Sequence, residues 1–394
     1  MTGEDISPDA GTIALDADAL LQAARQRTGL TDIGPTWILE PFEIYVRALG
    51  TEAHLTAQGA AYMSETIIRR LVNRLRMIEA IRLHPEIRDE ELIILAAIVG
   101  LPRTGSTMLQ RVLTSVPGIN GVRWWELQNF SPFPGEIPGQ PVDRIQFAEK
   151  MVEAWLAATP EFATIHPLSA TQVDEESILL HSMFAGLLEY AAPVPSFVAW
   201  QNSTDFRGTY GDLRTTLQFL QWQEPTRRGR PWLLKAPEHM IAPEALLEIF
   251  PGAKVIITHR DPVQVLPSIC SMHYTIQKLA IEAPDRMLIG RSNLERWAAA
   301  LQRLTTLRAK IGDARFIDVS YRDLLSDPVG QARQVLTALG LTLDAEGEAA
   351  VNAWLAENAR DQRASHVYTA ADFGLDDAEM EAAFANYSRR FIAA

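Results

Sequence analysis

The sequence predicts an α/β fold, with a central parallel sheet carrying helices on both faces and helical extensions at both ends. Three observations support this. Short apolar runs end in turns at 92–101, 231–235, 254–258 and 315–319, and a helical pattern follows each. The runs lack polar alternation, as strands buried on both faces do. Strands that alternate with helices are the pattern of a parallel sheet, whose crossovers need a dozen or more residues. No repeat, low-complexity segment or linker divides the chain. One domain over 1–394 is therefore expected, with a helical extension at 1–90, a core at 92–330 and terminal helices at 331–394.

The elements follow in order. Residues 1 to 12 read as a frayed end. From Leu15 onward the periodicity is helical, with Leu20, Leu21 and Ala24 on one stripe and Ile67, Ile68, Leu71, Val72, Leu75 and Ile78 on another. Pro41 could open a helix that carries Ile44, Tyr45 and Ala48. This segment reads as scaffold rather than site.

The first apolar run, Leu92–Leu101, breaks at Pro102-Arg103-Thr104-Gly105-Ser106-Thr107 and feeds a helix. Glycines in such a junction let successive N–H groups and a helix N-terminus point at one place, which attracts a phosphate or sulfate. Gly100 and Gly105 have the spacing of a nucleoside-triphosphate loop, but Ser106 stands where its lysine should be. Arg103 supplies positive charge instead, so an ordinary NTPase or kinase is disfavoured.

After the turn at 117–121, Glu126 follows Trp124 and Trp125. Apolar walls raise a carboxylate's pKa and suit it to acid/base work, but a glutamate at a helix start also complements the helix dipole. Residues 145–158, 172–191 and 210–223 read as helices. Asp174-Glu175-Glu176 reads as first-turn capping and His181 as packing, while Arg227-Arg228-Gly229-Arg230 reads as a solvated basic corner. The second strand ends at Lys235-Ala236-Pro237-Glu238-His239. The third ends at His259-Arg260-Asp261-Pro262, with Asp261 as N-cap and Pro262 as first helical residue. Charged residues where parallel strands end are the expected site of an open sheet. The fourth run, from Arg315, leads through Ser320-Tyr321 to a helix at 328–339. The tail is helical from Leu343, with breaks at 365–368 and 372–374.

The formal net charge of −13 argues against a nucleic-acid or anionic-membrane surface. Cys270 is the single cysteine, so neither an internal disulfide nor a cysteine metal site is expected. With no signal-peptide layout and no apolar run of bilayer length, a cytoplasmic protein is expected.

Three ordered blocks carry a family resemblance: Gly100 to Thr107, Lys235-Ala-Pro-Glu238, and Phe250 through Arg260 to Ser268. Together they resemble the sulfotransferases that use 3′-phosphoadenosine 5′-phosphosulfate (PAPS), most closely the bacterial group related to tyrosylprotein sulfotransferases. The resemblance implies a P-loop-like sulfotransferase fold. It further implies a 5′-phosphosulfate loop at Arg103, Thr104, Gly105, Ser106 and Thr107, and a 3′-phosphate pair at Arg260 and Ser268. Lys235 would reach the bridging oxygen or sulfonate, and Tyr321 would lie near the nucleotide. Glu126, 23 residues after Arg103, would be the base, with His166 and His239 in reserve. The expected reaction is sulfuryl transfer to a small, hydrophobic hydroxylated acceptor, releasing adenosine 3′,5′-bisphosphate without a metal. The C-terminal Arg-Lys-Gly-x-x-Gly signature and the Lys-Thr-His block of the cytosolic steroid and phenol enzymes are absent. A nucleotide kinase or a non-catalytic nucleotide-binding protein on the same scaffold are the competing readings. Trp124, Trp125, Phe130, Phe133, Trp200 and Phe206 could line an acceptor pocket or belong to the core.

Overall fold

The computed structural model describes residues 15–160, 168–358 and 368–392. The expectations for residues 1–12, His166 and 365–367 lie outside those residues. The four apolar runs form β1 (Ile94–Val99), β2 (Trp232–Lys235), β3 (Lys254–His259) and β4 (Phe316–Ser320). They make one parallel sheet in the order β2-β1-β3-β4.

Alternation along these strands sends successive side chains to two different cores. Ala97, Val99, Leu234, Val255 and Ile257 face a layer built largely from helices α9 (Arg207–Gln223), α11 (Pro262–Gln277) and α12 (Arg286–Ile311). Ala96, Ile98, Leu233, Ile256 and Val319 face the opposite layer, under α4 (Ser106–Ser115), α14 (Pro328–Ala338) and α15 (Ala345–Glu357). Each large aliphatic side chain buried there is worth about 1.5–3 kcal/mol. That is why runs without polar alternation settle only in the middle of a covered sheet.

A third core joins the N-terminal helices α1 (Ala17–Thr28), α2 (Leu39–Thr51) and α3 (Ala57–Leu83) to Phe184, Phe197 and Ala280. Thr56 caps α3 by accepting the Gly59 N–H at 2.9 Å. Gly59 is required by closeness, since a Cβ there would lie 2.1 Å from the Ala280 carbonyl oxygen. The far end of α3 continues into the sheet's own core through Met77, Ile78 and Ile81. The extension is thus packed into the rest of the molecule at both ends.

One expected element differs. Residues 172–191 hold only a short helix, α7 (Ser177–Ser182), and a single 3₁₀ turn at Leu188–Tyr190. Phe184 and Gly186 take left-handed backbone conformations that interrupt the helix. Asp174, Glu175 and Glu176 make long-range contacts rather than capping it. Asp261 and Pro262 do open α11, with the Asp261 carboxylate accepting the Val263 N–H at 3.0 Å.

Candidate active site

The chain leaves β1 for β2 on one side and returns to β3 on the other, so the strand order reverses between β1 and β3. A crevice opens beyond the carboxyl ends of strands at such a point. The loop after β1 turns on left-handed Arg103 (φ +72°) and Gly105 (φ +85°). A Cβ on Gly105 would come within 3.0 Å of the Tyr321 ring. Thr104 fastens the loop from below: its buried hydroxyl donates to Leu101 O at 2.7 Å and lies 2.6 Å from Thr258 Oγ1. Gly105, Ser106 and Thr107, at the start of α4, line the cavity that opens there.

The cationic residues arrive from three strand ends. Arg103 Nε donates to Ser268 Oγ at 3.2 Å, and Arg260 Nη1 donates to Arg103 O at 3.0 Å. Arg260 also lies over the Tyr321 ring, 4.3 Å from its centroid, and has no carboxylate partner among the described residues. Lys235 Nζ donates to Thr107 Oγ1 at 3.2 Å and forms an ion pair with Glu175. Arg103, Gly105, Ser106, Thr107, Lys235, Arg260 and Tyr321 all line one cavity of about 590 Å³. Ser268 sits behind it through Arg103, and Thr104 is buried beneath the loop.

Lys235 is held by residues that local sequence patterns do not single out. Its backbone N–H donates to both Glu176 carboxylate oxygens at 2.9 Å, and Glu176 Oε1 is 2.7 Å from His239 Nε2. His239 Nδ1 in turn lies 2.8 Å from the Tyr210 hydroxyl. His239 is wholly buried and does not line the cavity. Three residues past Lys235, Glu238 accepts from Ser177 Oγ at 2.7 Å, and its other oxygen is 3.3 Å from His181 Nε2. His181 does line the cavity, and its Nε2 lies within charge-contact distance of Glu238 without a well-formed hydrogen bond to it. Burial pushes the Glu238 pKa up, but His181 and Ser177 outweigh it and hold the carboxyl below its ordinary value.

Glu126 stands elsewhere. It is 2% exposed and does not line the cavity. One carboxylate oxygen takes Arg123 Nη2 at 2.8 Å and Arg227 Nη2 at 2.7 Å, and the other accepts the Arg123 N–H at 2.8 Å. Burial raises its pKa, but Arg227 and Arg123 lower it further, so the net shift is downward. Arg227 is accordingly buried, not the solvated corner its basic neighbours suggested.

Beyond Lys235 the cavity becomes apolar, with Trp124, Leu127, Met151, Trp155 and Ile178 on its walls. Phe130 and Phe206 are buried in the core instead. Helix α3, read from sequence as scaffold, contributes Tyr62, Met63, Thr66, Arg69 and Arg70 to the wall. Their spacing is that of one helical face.

This architecture defines a class: α/β proteins with a glycine-turned loop and a crevice at the reversal of a parallel sheet. Within it, the chain belongs to the Sulfotransferase family, whose model matches residues 96–345. It is similar to the omega-hydroxy-beta-dihydromenaquinone-9 sulfotransferase Stf3 of Mycobacterium bovis and Mycobacterium tuberculosis, 33% identical over 129 residues. That match spans 32% of this chain and 33% of each relative. Two solved structures are similar over nearly the whole chain. Sulfotransferase STF9 from Mycobacterium avium has a TM-score of 0.86 at 27% identity, covering 98% of both chains. Sulfotransferase STF1 from Mycobacterium tuberculosis H37Rv has a TM-score of 0.83 at 28% identity, covering 95% of this chain and 100% of its own.

Proposed function

We propose that this chain transfers the sulfuryl group of PAPS to a hydroxyl of a small, largely apolar acceptor. The observation that carries the reading is the convergence of Arg103, Lys235 and Arg260, from three strand ends, on a cavity that continues into an apolar chamber. The donor set fits a phosphorylated, sulfonated nucleotide. A glycine loop and helix start offer N–H groups, and Arg260 lies on an aromatic ring with no carboxylate to neutralise it. PAPS would supply the sulfuryl group, and adenosine 3′,5′-bisphosphate would depart.

Arg103, Thr107 and the loop N–H groups would hold the 5′ end, with Gly105 and Ser106 giving the close backbone approach. Arg260, with Ser268 behind it and Tyr321 beneath it, would grip the 3′-phosphate. Lys235 would stabilise charge that develops on the departing oxygen, as positioned cations do in phosphoryl transfer. Glu175 and Glu176 fix that ammonium from opposite ends, one at its side chain and one at its backbone.

We assign proton removal to His181 rather than to Glu126. A base must reach the proton it takes, and Glu126 is walled in by two arginines. His181 lines the cavity, and with Nε2 on the Glu238 side at 3.3 Å, Nδ1 would be the proton acceptor. The acceptor oxygen gives its proton to Nδ1 and bonds to sulfur as the bond from sulfur to the 5′-phosphate oxygen breaks. The kinase reading gains nothing here, since Ser106 occupies the position of the lysine and the family is that of sulfotransferases. Incubating the protein with PAPS labelled in its sulfonate and a panel of hydroxylated amphiphiles tests the proposal. Label is expected to move to at least one alcohol, and ATP with magnesium should yield no phosphorylated product. Phosphorylation without sulfonation would reverse the assignment.

A further inference from the structure

Arg69 and Arg70 sit side by side on α3, line the cavity, and form no salt bridge to a carboxylate among the described residues. The nearby carboxylates are already taken. Glu65, one turn before Arg69, receives both η-nitrogens of Arg27 at 2.6 and 2.7 Å. Glu189 pairs with Arg296 at 3.2 Å. Arg69 reaches only Gln128 Oε1, at 3.4 Å. Arg70 Nη1 and the Tyr45 hydroxyl are buried and interact with each other's side chains, short of a well-formed hydrogen bond. Burial pushes the pKa of both guanidinium groups down, as expected for cations denied water and a counter-ion.

Holding two like charges on one wall of a partly dry chamber is costly unless something compensates them. Glu65 is the one carboxylate whose charge reaches Arg69 among the described residues, and it is already held bidentate by Arg27. Guanidinium groups in this state are suited to receive a carboxylate or a phosphate through paired N–H donors. Their position matters as much as their charge. They are carried by α3, not by the strand-end loops that bear Arg103 and Arg260, and Arg69 touches α5 (Trp124–Gln128), whose Trp124 and Leu127 help form the apolar wall.

We propose that Arg69 and Arg70 form an anion subsite for the acceptor, which is therefore an amphiphile with a carboxylate or phosphate at one end. Its apolar body lies against Trp124, Leu127 and Trp155, and its hydroxyl is presented to His181 and Lys235. The proposal rests on the sulfuryl-transfer reading above for the identity of the acceptor, though not for the existence of the subsite.

The test is calorimetric titration of the protein saturated with adenosine 3′,5′-bisphosphate, using 12-hydroxydodecanoate, 12-hydroxydodecyl phosphate and dodecane-1,12-diol. At least one anion is expected to bind about tenfold or more tightly than the neutral diol, the scale of one charge-assisted contact. The tighter of the two anions identifies the source as a fatty-acid-like or a phosphate-bearing molecule. In the double variant Arg69→Gln, Arg70→Gln the preference should fall to within about twofold, with affinity for the bisphosphate unchanged. The double lysine variant, which keeps the charges, should restore part of it. Equal binding of all three probes, no binding of either anion, or a preference that survives the glutamine variant would overturn the proposal. So would loss of bisphosphate binding in that variant, which would place the arginines with the nucleotide. A wild-type protein that ignores the bisphosphate yet prefers the anions would sink the transfer reading and leave the subsite standing.

Discussion

The two ends of the cavity are built by different means. The end proposed for the nucleotide is made where strands stop: a loop after β1, Lys235 after β2, Arg260 after β3 and Tyr321 after β4. The sheet fixes these positions through its hydrogen-bond register, and Arg103 touches both Ser268 and Arg260. The apolar end is made from helices with no shared register. α3, α5, α6 (Val142–Ala158) and α7 meet there only because two separate cores bring them together. One end is thus fixed by backbone pairing and the other by side-chain packing, which suits a common nucleotide at the first and an acceptor particular to this chain at the second.

Variants can break this division. The largest loss is expected from His181→Gln, which removes the proton acceptor at the border of the two ends. Turnover should fall by about 10²–10⁴-fold, with bisphosphate affinity preserved in calorimetry; an unchanged rate would return the search for a base to the remaining carboxylates. Lys235→Ala should lower turnover by about 10²–10³-fold, the usual cost of removing one group that stabilises transition-state charge. Glu175→Gln should do less, because Glu176 still holds the Lys235 backbone. Arg260→Ala should weaken bisphosphate binding by about 10–100-fold and leave affinity for adenosine 5′-monophosphate nearly untouched. This split separates the 3′-phosphate grip from general nucleotide affinity.

Glu126→Gln should have the smallest effect on turnover per folded molecule while lowering the melting temperature. Breaking a buried ion pair on one side costs about 3–5 kcal/mol. Because the folded-state pKa of Glu126 is depressed, its contribution is present above the unfolded-state pKa of about 4.3 and is lost as pH falls through the folded value. The gap in melting temperature between wild type and variant should therefore narrow below about pH 4. A gap independent of pH would show that the carboxylate charge is not what holds this corner. His273 adds an acid-side effect of its own. Burial lowers its pKa to about 4, so the unfolded chain binds a proton that the folded one refuses. Stability should fall from about pH 6.5 downward, and His273→Gln should flatten that limb of the pH profile.

The same division explains what could be read from sequence. Apolar runs such as Lys254–Thr258 declare parallel strands, and charged residues at their ends declare a crevice, because both signals are local. Asp261 and Pro262 marked the start of α11 for the same reason. The wall of helices left no such mark. Asp174-Glu175-Glu176 had the look of a helix start, yet its members reach Arg111, Lys235 and His239, residues 59 to 63 positions away. His181 had the look of packing because its partner Glu238 lies beyond β2. Arg69 and Arg70 sat within an ordinary amphipathic helix, and only the assembled cavity shows that no carboxylate meets them. Glu126 was singled out by its tryptophan neighbours, while Arg227, about a hundred residues further on, decides its role.

The central claim is that strand ends form a site for an adenosine nucleotide phosphorylated at both its 3′ and 5′ positions. Titrating the wild-type protein with adenosine 3′,5′-bisphosphate and with adenosine 5′-monophosphate, side by side in a calorimeter, tests it most directly. Saturable binding at one site per chain is expected, tighter for the bisphosphate by about 10–100-fold. Equal affinity for the two nucleotides, or no heat from either, would contradict the account.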